Sequence, residues 1–196
     1  MAIEILRPNG AGDETAITSQ LPASTSHYDK VDEVVADDVT TVVYVSLAGY
    51  LRDLYALPAS SGNGIINKIT IYFRCKSLGE SGNQKAKASI KSGSTVADGV
   101  EKSFALENVW ETFSQEWSIN PDDSEDWEWA DIDALQIGVS LNGDDLNAFC
   151  TQVYVEVEYV PPSRIGTIGG KDIGSIAKFC GKAMTGIVSI GGVPNV

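Results

Sequence analysis

The lone histidine, His27, precedes Tyr28 and Asp29 and follows a Ser/Thr-rich stretch, Thr15 to Ser26. Hydroxyl, imidazole and carboxylate are the ingredients of nucleophilic catalysis, but no nucleophile elbow and no local oxyanion-hole signature accompanies them. Cys75, Cys150 and Cys180 are odd in number and lack Cys-x-x-Cys spacing, which supports neither a zinc cluster nor a disulfide scaffold. Cys75 alternates with Ile71 and Phe73 and reads as a core thiol. A Cys75–Cys150 bridge between neighbouring strands is the alternative. The densest acidic run is Asp122-Asp123-Ser124-Glu125-Asp126, followed by Glu128, Asp131 and Asp133. Oxygen-rich loops suit Ca²⁺, so Asp122, Asp123 and Asp126 are candidate calcium ligands, although the EF-hand spacing is absent. Helix capping and a solvated acidic loop account for the same charges, and no other metal or cofactor is expected. Gly169-Gly170-Lys171 lacks the spacing and strand–helix context of a phosphate loop.

Aromatic residues offer a different chemistry. Trp127, Trp129 and Tyr154 are candidate glycan contacts, because ring faces stack on the apolar faces of sugars. Trp110, Trp117 and Tyr159 belong to the same aromatic set. The competing reading places Trp110 and Trp117 in a core, where each aromatic buries roughly 150–250 Å².

The elements that must position these residues follow from period-2 alternation. Asp38–Leu47 places Val39, Val43, Val45 and Leu47 in strand register. Ile65–Lys76 puts Ile69, Ile71, Phe73 and Cys75 on one face and Thr70, Tyr72 and Arg74 on the other. Lys85–Ser92 alternates Ala86, Ala88 and Ile90 against Lys85, Lys87, Ser89 and Lys91. Leu135–Leu141 alternates Leu135, Ile137, Val139 and Leu141. Thr151–Val160 alternates Val153, Val155, Val157 and Tyr159 against Gln152, Tyr154, Glu156 and Glu158. One buried and one wetted face is the signature of antiparallel strands. Gly/Asn/Ser/Asp clusters at 60–64, 79–83, 97–99 and 142–145 supply the turns. One short helix is predicted over Trp127–Leu135, with Ser124 or Asp126 as its N-cap. The fold class is all-β: an antiparallel β-sandwich spanning residues 1–160, with one short helix and a C-terminal repeat extension.

After the Pro-rich linker 161–163, three 11-residue units run to the last residue: RIGTIGGKDIG, SIAKFCGKAMT and GIVSIGGVPNV. Ile165, Ile176 and Ile187 superpose, as do Ile168, Phe179 and Ile190, and Gly170, Gly181 and Gly192. So few residues, with so much glycine, cannot build an independent core. Arg164, Lys171, Lys178 and Lys182 against Asp172 give the 164–196 tail a charge of +3, so the body carries −16 of the net −13. A basic, apolar tail reads as a docking or anchoring segment. Ile165, Ile168, Ile176, Phe179, Ile187 and Ile190 would insert or pair with strand edges, while Lys171, Lys178 and Lys182 meet acidic neighbours.

Fourteen Lys+Arg against 27 Asp+Glu disfavour nucleic acid as a partner. No apolar run is long enough to insert in a membrane, and no basic start followed by an apolar stretch marks a signal peptide. These features together argue against an enzyme.

The pieces Leu6-Arg7-Pro8-Asn9-Gly10-Ala11-Gly12-Asp13-Glu14-Thr15, Val31-Asp32-Glu33, Asp53-Leu54-Tyr55, Trp127 through Val139 and Thr151 through Val157, in this order, resemble a β-sandwich (jelly-roll) module of tailed-bacteriophage virion structural proteins. The Ile-x-x-Ile-x-Gly units resemble short C-terminal repeats on phage virion proteins. The resemblance implies a non-enzymatic virion component: a capsid decoration, fibre or tail-associated subunit. It would be made in the cytoplasm without a signal peptide and anchored to copies of itself or to other virion proteins through its tail. The alternative is a carbohydrate-binding or adhesin module that uses exposed tryptophans, with calcium, to hold a host surface glycan.

Overall fold

The computed structural model describes residues 1–162, apart from 25, 39, 80–82, 105 and 106, and the backbone of six short strands between 167 and 194. The chain divides into two compact units, Met1–Pro161 and Pro162–Val196.

The first unit is an antiparallel β-sandwich. One sheet, here sheet A, contains β1 (Ala2–Leu6), β3 (Ser19–Leu21), β4 (Val42–Val45), β6 (Ile65–Leu78), β10 (Glu111–Trp117) and β12 (Asn147–Val160). Its order is β10-β6-β12-β4-β3, and β1 pairs with the far end of β12. Sheet B contains β2 (Gly10–Thr15), β5 (Tyr50–Ala56), β7 (Lys85–Ser92), β8 (Thr95–Asp98), β9 (Lys102–Ser103) and β11 (Gln136–Asn142), in the order β2-β5-β11-β7-β8 with β9 on β7.

Alternation dictates the core. Ile69, Ile71, Phe73 and Cys75 of β6 meet Val153, Val155 and Val157 of β12 on the inner face of sheet A. Ala86, Ala88 and Ile90 of β7 and Ile137, Val139 and Leu141 of β11 close the core from sheet B. Sheet B departs from strict alternation because Ser89 and Ser140, on its outer side, are also buried. Their hydroxyls share a 2.9 Å hydrogen bond beneath Arg52, which pairs with Glu14 at 2.8 Å and Asp98 at 2.9 Å. Gly138 is fixed by close approach: a Cβ there would lie 1.8 Å from the Asp53 carbonyl oxygen.

Two local expectations are corrected. Leu47, expected in register with Val43 and Val45, lies beyond the end of β4 and is exposed; Val39 is outside the described residues. The helix α1 spans Trp129–Ala134 and is capped by Glu128, not by Ser124 or Asp126. Glu128 and Asp131 form a reciprocal capping box, which satisfies backbone N–H groups that a cap nearer Trp127 would leave open.

The second unit folds each repeat into one antiparallel hairpin. Thr167–Ile168 pairs with Lys171–Asp172, Lys178–Phe179 with Lys182–Ala183, and Ser189–Ile190 with Val193–Pro194. Ile165, Ile176 and Ile187 lie outside the described residues.

Candidate functional site

The outer face of sheet A collects aromatic and hydrogen-bonding side chains. In β6 the residues opposite the core set are Thr70, Tyr72, Arg74 and Lys76; in β12 they include Phe149, Tyr154, Glu156 and Glu158; β4 contributes Tyr44. Register places Tyr72 directly beside Tyr154, and their rings stack at 4.9 Å with an interplanar angle of 11°. The Arg7 guanidinium lies over the Tyr154 ring, 4.6 Å from its centroid. Tyr154 thus packs against both Tyr72 and Arg7 and acts as a buttress. Tyr72 is half-buried, and its register partner in β10 is the small residue Ser114. Burial, reinforced by Glu156, pushes the Tyr72 phenol above its ordinary pKa, so its hydroxyl stays protonated at neutral pH.

Four residues along β6, about 13 Å at the strand rise, lies a second aromatic group. Lys76 Nζ sits 4.9 Å from the Trp110 centroid and 5.4 Å from that of Phe149, and donates to Asn108 Oδ1 at 3.0 Å. Phe149 packs on Tyr44 at 5.2 Å. A cleft of about 180 Å³ opens here among Leu21, Asp38, Val42, Lys76, Trp110 and Phe149. Between the two groups, Arg74 forms a two-pronged pair with Asp38, Nε to Oδ1 at 2.6 Å and Nη2 to Oδ2 at 2.8 Å. This bond holds the Asp38 carboxyl below its usual range.

Beside Arg7, the bulge between Cys150 and Gln152 in β12 turns polar groups into the 31–41 loop. Gln152 Nε2 donates to the Glu33 carbonyl oxygen at 2.6 Å, as does Arg7 Nη1 at 2.8 Å. Thr151 Oγ1 donates to the Thr41 carbonyl oxygen at 2.9 Å, and Thr41 Oγ1 donates to both Glu33 and Asp37. Burial, with Asp37 and Asp32 nearby, raises the Glu33 carboxyl above 4.5. The folded state therefore holds that proton more tightly than the unfolded chain. The stability linked to it is complete below about pH 4.5 and falls as pH rises through the higher folded value. Glu33→Gln is expected to raise Tm at pH 7 but not below pH 4.5, read by scanning calorimetry across that range.

A larger cleft, about 780 Å³, lies between Gly64–Ile66 and Asp123–Asp131, and Trp127 and Trp129 line it. Their rings are committed elsewhere. Trp127 is only 4% exposed and donates to the Trp117 carbonyl oxygen at 3.0 Å, so its expected role as an exposed glycan contact is corrected. Trp129 is half-buried, donates to the Gly64 carbonyl oxygen at 2.9 Å and meets Tyr159 edge-on at 5.0 Å. Its six-membered ring lies against Gly62, where a Cβ would come within 2.1 Å. Two of the calcium candidates are engaged in local hydrogen bonds. Asp122 accepts from the Ser94 backbone and hydroxyl, Asp123 accepts from the Glu125 N–H, and no group of three ligating side chains converges among the described residues.

Of the three residues expected at a glycan site, the structure places only Tyr154 on the aromatic face. Trp110, from the wider aromatic set, joins it, and so do Tyr72, Phe149 and Tyr44, which were not singled out for that role. His27 pairs with Asp53, from Nδ1 to Oδ2 at 2.6 Å, instead of the neighbouring Asp29, and no hydroxyl or thiol side chain is hydrogen-bonded to it among the described residues. Of the tail positions, Ile168, Lys171, Phe179, Lys182 and Ile190 fall within hairpin strands, and only their backbone is described.

No family model matches the chain, and no curated protein matches it. Similar solved structures include TmCBM61 in complex with beta-1,4-galactotriose, at 18% identity over 78% of this chain and 88% of that one, with a TM-score of 0.41. The xylan-binding module CBM15 is similar at 8% identity over 81% of this chain and 97% of that one, with a TM-score of 0.45. The enzymatically active domain of bacteriophage CBA120 tailspike protein 4 is similar at 12% identity over 78% of this chain but 19% of that one, with a TM-score of 0.42. At these identities and scores the likenesses carry no inference about a ligand, and the function must be read from this chain's own residues.

Proposed function

We propose that this protein is a non-catalytic carbohydrate-binding module that holds a polysaccharide on the outer face of sheet A. The observation that carries the reading is the outward Tyr72–Tyr154 stack, with Arg7 over Tyr154, continued along the same sheet face by the Trp110–Phe149–Tyr44 group. A pyranose has an apolar C–H face and a rim of hydroxyls. An aromatic face covers the first, and the flanking Arg74, Asp38, Lys76 and Asn108 can exchange hydrogen bonds with the second. A mixed aromatic and polar patch on an otherwise wetted strand face suits a ligand that is apolar on its face and polar at its edge. The test is affinity electrophoresis of the full chain through gels containing a panel of soluble galactans, xylans and glucans, followed by amide chemical-shift mapping with the retaining polymer. Shifts centred on 70–76 and 149–154 support the reading. No retention by any polymer, or shifts elsewhere, overturns it.

A second reading concerns the tail and is favoured by the recurrence of one hairpin per 11-residue unit. Isolated two-stranded hairpins are marginal in water, so a supporting surface would stabilise them. The tail would join copies of this chain, or dock on a larger particle. Light scattering after size exclusion is expected to show an oligomer for the full chain and a monomer for residues 1–161. A monomer in both cases removes self-association through the tail.

A further inference from the structure

Cys75 and Cys150 form a built pair that the glycan reading does not use. They are register partners on the two central strands of sheet A, β6 and β12, and both point into the core with no exposed surface. Both are free thiols in this structure, and Cys150 Sγ donates to the Gln152 carbonyl oxygen at 3.5 Å. Directly opposed residues in an antiparallel pair have Cα atoms about 4.5 or 5.5 Å apart, depending on the hydrogen-bonding site. Both spacings fall within the range of roughly 4.4–6.8 Å that a disulfide spans. The bulge that follows Cys150 gives the strand local freedom to adjust its Cβ direction.

We propose that Cys75 and Cys150 are an oxidative modification site, closing to an intrachain disulfide that bolts β6 to β12 in an oxidising compartment. The reaction is exchange with a small disulfide such as oxidised glutathione. The thiolate of one cysteine attacks the small disulfide and expels one small thiol. The second cysteine then attacks the mixed disulfide and expels the other. One protein S–S bond forms, one small-molecule S–S bond breaks, and the two cysteine protons end on the two released thiols. Burial and the neighbouring Cys150 hold the Cys75 thiol well above its ordinary pKa, so the native reduced pair reacts slowly. Closure therefore belongs to folding or to transient strand separation, and the closed bond resists reductant until the sandwich opens again. The same strands carry Tyr72, Arg74 and Tyr154 on their outer face, so the bond also pins the register that assembles the aromatic group.

The experiment uses the full chain carrying Cys180→Ser, which leaves only the core pair. The chain is refolded from denaturant with oxidised and reduced glutathione, free thiols are trapped with iodoacetamide under denaturing conditions, and mass and peptide map are read. The expected result is a mass lower by two hydrogens, a peptide joining residues 75 and 150, and a Tm higher by roughly 10 °C than the reduced chain. Reductant in native buffer should leave the bond intact, while reductant in denaturant removes it. Full alkylation of both thiols, glutathione adducts without a cross-link, or a cross-linked chain with lower Tm each overturns the proposal. Polysaccharide retention by the reduced chain is measured alongside, so the cross-link and the glycan reading fail independently.

Discussion

Tyr72→Ala is expected to weaken retention by the bound polysaccharide about 10- to 70-fold while leaving the sandwich folded. The half-buried ring would shield about 60–100 Å² of apolar surface on binding. At about 25 cal/mol/Å² that is worth about 1.5–2.5 kcal/mol. The substitution also removes the ring against which Tyr154 stacks, so the loss lies towards the upper end. Tyr72→Phe keeps the ring and is expected to stay within about threefold of the original affinity, since only one hydroxyl is lost. Trp129→Ala serves as the contrast. It removes a half-buried indole wedged between Gly62 and Tyr159 and is expected to cost about 2 kcal/mol of stability with no change in affinity. Affinity electrophoresis and thermal denaturation on the three variants separate these effects. The reverse pattern, affinity lost with Trp129 and kept without Tyr72, would move the site to the cleft beside α1.

Asp53→Ala is the substitution with the largest expected effect on stability. Asp53 is fully buried in β5, and its two oxygens serve different parts of the chain. Oδ1 accepts the Ile17 N–H at 2.9 Å, and Oδ2 faces His27 Nδ1 at 2.6 Å with the Tyr55 hydroxyl at 3.4 Å. One carboxylate thus ties the segment between β3 and β4 and the segment after β2 to the centre of sheet B. Truncation leaves a buried N–H and an imidazole without their acceptor, at a cost of about 3–5 kcal/mol, or a Tm lower by roughly 6–20 °C. Burial raises the Asp53 carboxyl above 3.8, with Ile17 and His27 pulling against it. Its own titration therefore favours the folded state most below about pH 3.8 and less as pH rises through the folded value. Asp53→Asn keeps an acceptor for the Ile17 N–H without the buried charge. It is expected to cost less than about 1.5 kcal/mol and to remove that slope. Equal losses in the two variants would show that the acceptor role is not what matters.

The inner faces of the strands were legible in the sequence because strand alternation is a local property. Ile69, Ile71, Phe73 and Cys75 stand two residues apart, and the pleat alone sends them to one side while Thr70, Tyr72 and Arg74 go to the other. The same reasoning covered Val153, Val155 and Val157. It failed for Leu47, where the strand had already ended, and for Ser89 and Ser140, whose outer side is closed by Arg52 and its partners from other strands.

The candidate site was less legible, because a site is made of neighbours between strands. Alternation shows that Tyr72 and Tyr154 face outward. It does not show that β6 lies beside β12 with these residues in register, or that Arg7 from the turn after β1 covers the second ring. Trp127 was a glycan candidate by its ring type alone, yet it is buried and donates to the Trp117 carbonyl oxygen. His27 stood next to Asp29 in sequence but pairs with Asp53 from another strand. By itself the sequence determined the strand class, the inward and outward sets of the main strands, and the repeat of the tail, all of which follow from spacing along one segment. Only the tertiary structure decided which outward side chains meet, because strand order and register are set by long-range burial across the sandwich and not by any local pattern.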